Sequence, residues 1–221
     1  MRRSLLPSVP RAMLFSLRGT LPVLDLDGER IVDSTRIIEA LERHYPQPPL
    51  YPEDPGERER ALALEDFFDE CAGHDLRRAA FFELRGDPDY VSAFLTTGRG
   101  GGTRTVFRAL LRAPGSMAYA NRRYRINAAD ASASRRKLAE ALDRLSGELQ
   151  PSGYLVGSSF SVADLTAAAL LFPLAWPAEL QYDYPDPPDS PLLRSFDGHP
   201  AVDWIRQVYH RHRGSSAEIA A

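Results

Sequence analysis

Residues Phe160-Ser161-Val162-Ala163-Asp164-Leu165 constrain this chain more than any other stretch. A Ser followed three residues later by an acid is a capping box. Ser161 can accept from the backbone N–H of Asp164, and the Asp164 carboxylate can reach back to the N–H of Ser161. Phe160 and Leu165 occupy the two staple positions around it. The predicted helix behind the box, Val162 to about Leu171, is apolar on nearly every side, so other helices have to wrap it. Losing such a cap costs about 0.5–2 kcal/mol.

The wrapping is supplied by neighbouring segments with helical spacing. From Gly56, Leu62, Leu64, Phe67, Phe68 and Cys71 alternate with acids, and the pattern runs on through Phe81-Phe82-Leu84 until Gly86-Asp87-Pro88 breaks it. Val106 to Leu111 predicts a short helix. Ala131 to Leu149 predicts a longer one with Leu138, Leu142, Leu145 and Leu149 on one stripe. Ala201 to Arg211 carries Val202, Trp204, Ile205 and Val208. Gly98 to Thr103 and Tyr182 to Pro191 read as loops. The expectation is an all-helical region of five or six helices.

The first part of the chain has a different period. Leu21-Pro22-Val23-Leu24-Asp25-Leu26 reads as a strand with Pro at its entry, where a missing donor is tolerated. Asp27-Gly28 is a hairpin turn, Glu29 to Val32 the returning strand. Asp33-Ser34 then supplies N-cap residues for a helix with Ile37, Ile38, Leu41 and Tyr45 on one face, stopped by Pro46, Pro48 and Pro49.

Composition excludes several classes. Apolar residues make up 43% of 221 and the net charge is only −3, so a wholly disordered chain is ruled out. One cysteine, Cys71, excludes a disulfide framework and a multi-cysteine zinc site. No apolar run approaches the ~20 residues that span a bilayer. Charge is uneven along the chain. Residues 25–70 hold 14 acids and 5 bases, whereas residues 71–147 hold 7 acids and 14 bases. The basic clusters Arg122-Arg123-Tyr124-Arg125 and Arg135-Arg136-Lys137 carry no nucleic-acid motif, and helices of opposite charge facing one another explain them better.

Few constellations carry chemistry. His210 and His212 point in different directions on a helix, so they read as a solvated helix end rather than a metal pair. Cys71 and His74 can share a helix face, but a buried, inert Cys accounts for that position better. Pro22 and Asp33-Ser34 are more telling. A Pro that starts a strand exposes the neighbouring backbone N–H and C=O when its peptide is cis. A helix N-terminus with Ser and Asp can hold a carboxylate and an ammonium together. One tight hairpin brings them together, which makes a site for a short zwitterionic peptide. A structural Pro plus a helix cap accounts for the same residues equally well.

Thr20-Leu21-Pro22-Val23-Leu24-Asp25-Leu26-Asp27-Gly28, followed by Ile31-Val32-Asp33-Ser34-Thr35-Arg36-Ile37-Ile38, resembles the second half of the thioredoxin-like domain of glutathione S-transferases. The Phe160–Leu165 box resembles the capping box of that family's C-terminal domain, and His199-Pro200-Ala201-Val202-Asp203-Trp204 resembles its final helix start. The resemblance implies that Pro22 is the cis-proline and that Leu21 offers backbone hydrogen bonds to the cysteinyl part of glutathione. It implies that Ser34 binds the γ-glutamyl carboxylate with Asp33 beside the γ-glutamyl group, and that Ser161 and Asp164 are a structural N-cap.

The fold class expected is mainly α: a truncated thioredoxin-like α/β unit of hairpin and helix, then an all-α domain. The expected divisions are an atypical segment at 1–19, the partial thioredoxin-like unit at 20–49, the helical domain at 53–213 and a tail at 214–221. The family's first strand, helix and second strand do not fit into 19 residues, so the thiol-activating catalytic residue stays unassigned. That acid-free segment reads as the product of a wrong start or a truncated gene, or as an organellar presequence. The resemblance further implies glutathione as co-substrate, an electrophile as its small-molecule partner, a homodimer and a cytoplasmic location, with no metal, nucleic acid or membrane. Phe67, Phe68 and Phe81 are candidates for the electrophile pocket. Conjugation is the expected activity if an N-terminal extension exists; the alternative is a non-catalytic binding or interaction module.

Overall fold

A computed structural model describes residues 22–98 and 101–214. They fall into two units, one running through Leu50 and one from Tyr51.

In the first unit, β1 (Val23–Leu26) pairs antiparallel with β2 (Glu29–Val32). Asp27 (φ 52°) and Gly28 (φ 85°) both take positive φ, the requirement of the tight turn between them. The register sets Val23 opposite Val32 and Leu26 opposite Glu29. Helix α1 (Ser34–His44) follows at once, with Asp33 as its N-cap. Arg43 and His44 sit in its last turn, where cations complement the helix dipole. Beyond it, the Leu50 N–H donates to the Glu42 carboxylate at 3.0 and 3.2 Å and ties down the proline-rich segment. The face marked by Leu41 and Tyr45 is less covered than its period suggests: Leu41 is 36% and Tyr45 66% exposed, and Ala40 is the buried residue of the helix.

The second unit is helical. Helix α2 (Pro55–Leu84) starts with Pro at its first position, and Asp54 Oδ1 accepts from the N–H groups of Gly56 (3.0 Å) and Glu57 (2.9 Å). Its buried stripe is Ala61, Leu64, Phe68, Ala72, Leu76 and Ala79, spaced three or four apart. Next come α3 (Pro88–Leu95), α4 (Gly101–Arg112), α5 (Ser116–Arg123) and α6 (Ala128–Glu148). They are followed by α7 (Val162–Ala175), α8 (Pro191–Arg194) and α9 (Pro200–His212). The core lies where α2, α6, α7 and α9 meet. Leu138, Leu142 and Leu145 of α6 are fully buried there, with Leu171 of α7 and Ile205 of α9.

The unit holds more helices than five or six. α3 is hidden in the sequence by its own breaker: Asp87-Pro88 ends α2 and also starts the next helix, with Asp87 Oδ1 accepting from Tyr90 N at 2.8 Å. α4 begins at Gly101, inside the segment expected to be a loop, because glycines in a first turn interrupt no intrahelical donor. α5 is short and polar, with too weak a period to be read. α7 runs to Ala175 through Pro173 and ends on Trp176 in the left-handed region (φ 48°), whose N–H donates to Phe172 O at 2.8 Å.

Candidate functional site

The Val23↔Val32 pair is the last of the hairpin, so Pro22 and Asp33 are the residues just beyond it on each strand. Opposed Cα atoms in such a ladder lie roughly 4.5–5.5 Å apart, which puts Pro22 beside the start of α1. Pro22, Asp33 and Ser34 are all exposed. Leu21 lies outside the described residues, and with it the Leu21–Pro22 peptide.

Asp33 is held at φ 86°, ψ 128°, a conformation that L residues rarely adopt. Non-glycine residues kept there cost about 1–3 kcal/mol and cluster where ligands are gripped. Asp33 Oδ1 accepts from Arg36 N at 3.4 Å, a long contact that makes a weak cap. The first turn of α1 contains no acid, so its positive dipole end is offset by Asp33 alone. A carboxylate is therefore welcome at the Ser34 hydroxyl and the helix N-terminus, and an ammonium at the Asp33 carboxylate.

The capping box is built in the other unit. Asp164 is fully buried and accepts from Leu155 N (2.8 Å), Ser161 N (2.9 Å) and Ser161 Oγ (2.8 Å). Burial raises the pKa of this carboxyl above the ordinary Asp value; the hydrogen bonds from Leu155 and Ser161 oppose that shift. Asp164 thus fastens the 155–161 segment to α7. Phe160 stacks on His212 at 4.2 Å, and His212 Nε2 lies 3.1 Å from the Tyr154 hydroxyl. The end of α9 is nevertheless exposed at His210, Arg211 and His212, as its sequence suggests, and His210 Nδ1 sits 2.8 Å from Glu179 Oε1.

Phe68 is fully buried in the core and lines no surface, which removes it as an electrophile contact. Phe67 and Phe81 are half-buried, and the Arg144 guanidinium lies 3.9 Å from the Phe67 ring centroid. Cys71 is a free thiol, half-buried on α2.

Sequence reasoning missed a polar network inside this unit. Asp75 is 4% exposed; its Oδ1 accepts from Ser134 Oγ at 2.6 Å and Arg78 Nη1 at 3.1 Å, while Lys137 Nζ lies 3.7 Å from Oδ2. It bridges α2 and α6. The available signal was its position within the Ala72, Leu76, Ala79 stripe, where a charge demands a partner. An open cleft of about 490 Å³ is lined by Glu83, Asp87, Tyr90, Asp186 and Asp189. Burial, aided by Asp186 and Asp87, pushes the Tyr90 phenol up to about 12, and its hydroxyl donates to the Asp186 carbonyl at 3.0 Å. Acidic walls disfavour a peptide carboxylate, so the anion-binding geometry stays with α1. Among the described residues, no three metal-ligating side chains converge, and no helix is long and apolar enough to cross a membrane.

Comparison with known proteins bears on the family and the fold. Residues 107–209 match the glutathione S-transferase C-terminal domain, and residues 8–49 match the glutathione S-transferase N-terminal domain. No curated protein matches. Solved structures share the fold, three of them as follows. A glutathione S-transferase from Rhodospirillum rubrum F11 is 20% identical, with TM-score 0.54, over 92% of this chain and 72% of that one. A β-etherase from Sphingobium sp. strain SYK-6 is 22% identical, with TM-score 0.51, over 88% and 80%. A glutathione S-transferase from Methylobacterium radiotolerans, in complex with glutathione sulfonate, is 19% identical, with TM-score 0.52, over 99% and 82%. A short thioredoxin-like unit of hairpin and helix precedes an all-helical domain, and the chain belongs to the glutathione S-transferase family.

Proposed function

We propose that this chain binds glutathione at the open end of its hairpin. The observation that carries the reading is the strained Asp33 at the N-terminus of α1, next to Ser34 and beside Pro22. Ser34 and the helix N-terminus receive the γ-glutamyl carboxylate, and Asp33 receives the γ-glutamyl ammonium. The resemblance assigns the cysteinyl part to the backbone of Leu21, which lies outside the described residues, next to Pro22. Glutathione serves as co-substrate for transfer to an electrophile, in a cytoplasmic protein that pairs as a homodimer. The fold of the solved transferases and the complex with glutathione sulfonate support this reading.

Transfer needs the thiolate, and a thiol with pKa ~8.5 is only a few per cent ionised at pH 7. A second reading, a non-catalytic glutathione-binding module, is favoured by one observation. Among residues 22–50 the hydroxyls are Ser34, Thr35 and Tyr45; two lie in the first turn of α1 and the third caps its far end. None of the three precedes the hairpin, where the resemblance places the thiol activator; Ser8, Ser16 and Thr20, which do, lie outside the described residues.

The test is retention on immobilised glutathione, followed by turnover with 1-chloro-2,4-dinitrobenzene. Wild type is retained, and Ser34→Ala weakens binding about tenfold through a lost charge-assisted hydrogen bond. Retention unchanged in Ser34→Ala and Asp33→Ala overturns the site. Retention without turnover selects the binding module.

A further inference from the structure

Between Asp89 and Asp130 the chain has no acidic residue and seven arginines. This stretch holds α4 and α5, and α4 buries none of its twelve residues. Phe107 and Leu111 are half-buried, but two large apolar side chains face solvent: Val106 is 54% exposed and Leu110 60%, one turn apart on α4. Tyr119 on α5 is 71% exposed and Tyr124 just past it 52%. Six of these arginines lie among the described residues and divide into two groups. Arg108 and Arg112 are paired with Asp89, and Arg125 with Asp130. Arg104, Arg122 and Arg123 are exposed and have no acidic partner among the described residues. Arg123 instead lies over the Tyr124 ring, 5.5 Å from its centroid.

From this combination we infer that α4 and α5 form a peripheral docking surface for an anionic phospholipid membrane. Charge complementarity identifies the occupant. Asp89 and Asp130 are engaged by Arg108, Arg112 and Arg125, so Arg104, Arg122 and Arg123 leave an excess of positive charge that suits a fluid polyanionic surface. Exposed Val106 and Leu110 have no use on a nucleic-acid backbone, but they enter the acyl boundary as the apolar face of an interfacial helix does. Tyr119 and Tyr124 have the amphipathic shape that settles at headgroup level, with Arg104, Arg122 and Arg123 meeting the phosphates. Such contact lies on the bilayer and requires no spanning helix. It is independent of the glutathione reading, because it uses none of those residues.

The experiment is co-sedimentation of the full chain with vesicles of phosphatidylcholine, with and without about a third phosphatidylglycerol. Binding is expected on the anionic vesicles only and is lost at high salt. Arg122→Ala with Arg123→Ala weakens partitioning about 30-fold. Val106→Ser with Leu110→Ser weakens it at least about tenfold. All four positions are exposed, so circular dichroism stays unchanged. Equal binding to neutral vesicles, or none to anionic ones, overturns the inference. So does duplex DNA binding that depends on the arginines but not on Val106 and Leu110, which assigns the face to nucleic acid. Salt-sensitive self-association abolished by the same substitutions overturns it as well and assigns the face to a second copy of the chain.

Discussion

Asp164 and Ser161 meet twice, the carboxylate Oδ2 accepting from both the backbone N–H and the hydroxyl of Ser161 at 2.9 and 2.8 Å. Both residues are buried. The pair joins the start of the most apolar helix to the segment before it. A third bond, from Leu155 N, brings the donors that meet on the Asp164 carboxylate to three.

Asp164→Ala therefore leaves buried donors unmet, each costing about 1–3 kcal/mol. The expected loss is about 2–4 kcal/mol in total. In a chain of this size it lowers Tm by roughly 5–15 °C. Ser161→Ala removes a single contributor and costs about 1 kcal/mol. Thermal unfolding of both variants checks the ranking, and equal losses would contradict it.

Asp33 yields a prediction in which stability and binding move in opposite directions. Glycine at this position relieves strain of about 1–3 kcal/mol and loses only a few tenths as a cap. Asp33→Gly is expected to stabilise the chain by about 1 kcal/mol while weakening glutathione retention. Asp33→Ala keeps the strain, loses the cap and destabilises by about 1 kcal/mol. Chemical denaturation with a retention assay separates the two; a destabilised Asp33→Gly would show that the conformation is unstrained.

His212 links stability to pH. Burial against Phe160, with help from Arg211, lowers its pKa below the ordinary value of 6.5, and Asp164 opposes the shift. Below pH 6.5 the unfolded chain then binds more protons than the folded one, so stability falls on acidification. The loss spans the window from 6.5 down to the lowered folded value. His212→Phe keeps an aromatic ring on Phe160 and removes this slope. Denaturation midpoints at several pH values between about 5 and 8 test it; an unaltered slope in the variant would rule the residue out.

What could be read from sequence was whatever depends on a few contiguous residues. The Asp27-Gly28 turn, the Asp33 cap and the Ser161-to-Asp164 box each need at most four neighbours, and their physics is local. α3 was missed because Asp87-Pro88 is both a breaker and a start, and only tertiary contact shows that the chain resumes its helix. Asp75 was missed because its partners Ser134 and Lys137 lie on another helix, about 60 residues away. The candidate site was legible in residue types, since Pro22, Asp33 and Ser34 sit around one hairpin. Its positive φ at Asp33 was not, because nothing in the composition distinguishes a strained Asp from a relaxed one.

α4, with twelve residues and none buried, has a kinetic consequence. A segment that contributes no side chain to the core can detach and re-form without melting the rest. Its amides should trade their hydrogens for solvent deuterium through a low-energy local opening, while those of Leu142 and Leu171 wait for global unfolding. The helical unit therefore behaves as two cooperative blocks of unequal depth: a deep block of α2, α6, α7 and α9, and a shallow one that can lengthen, shorten or be cleaved while the deep block persists.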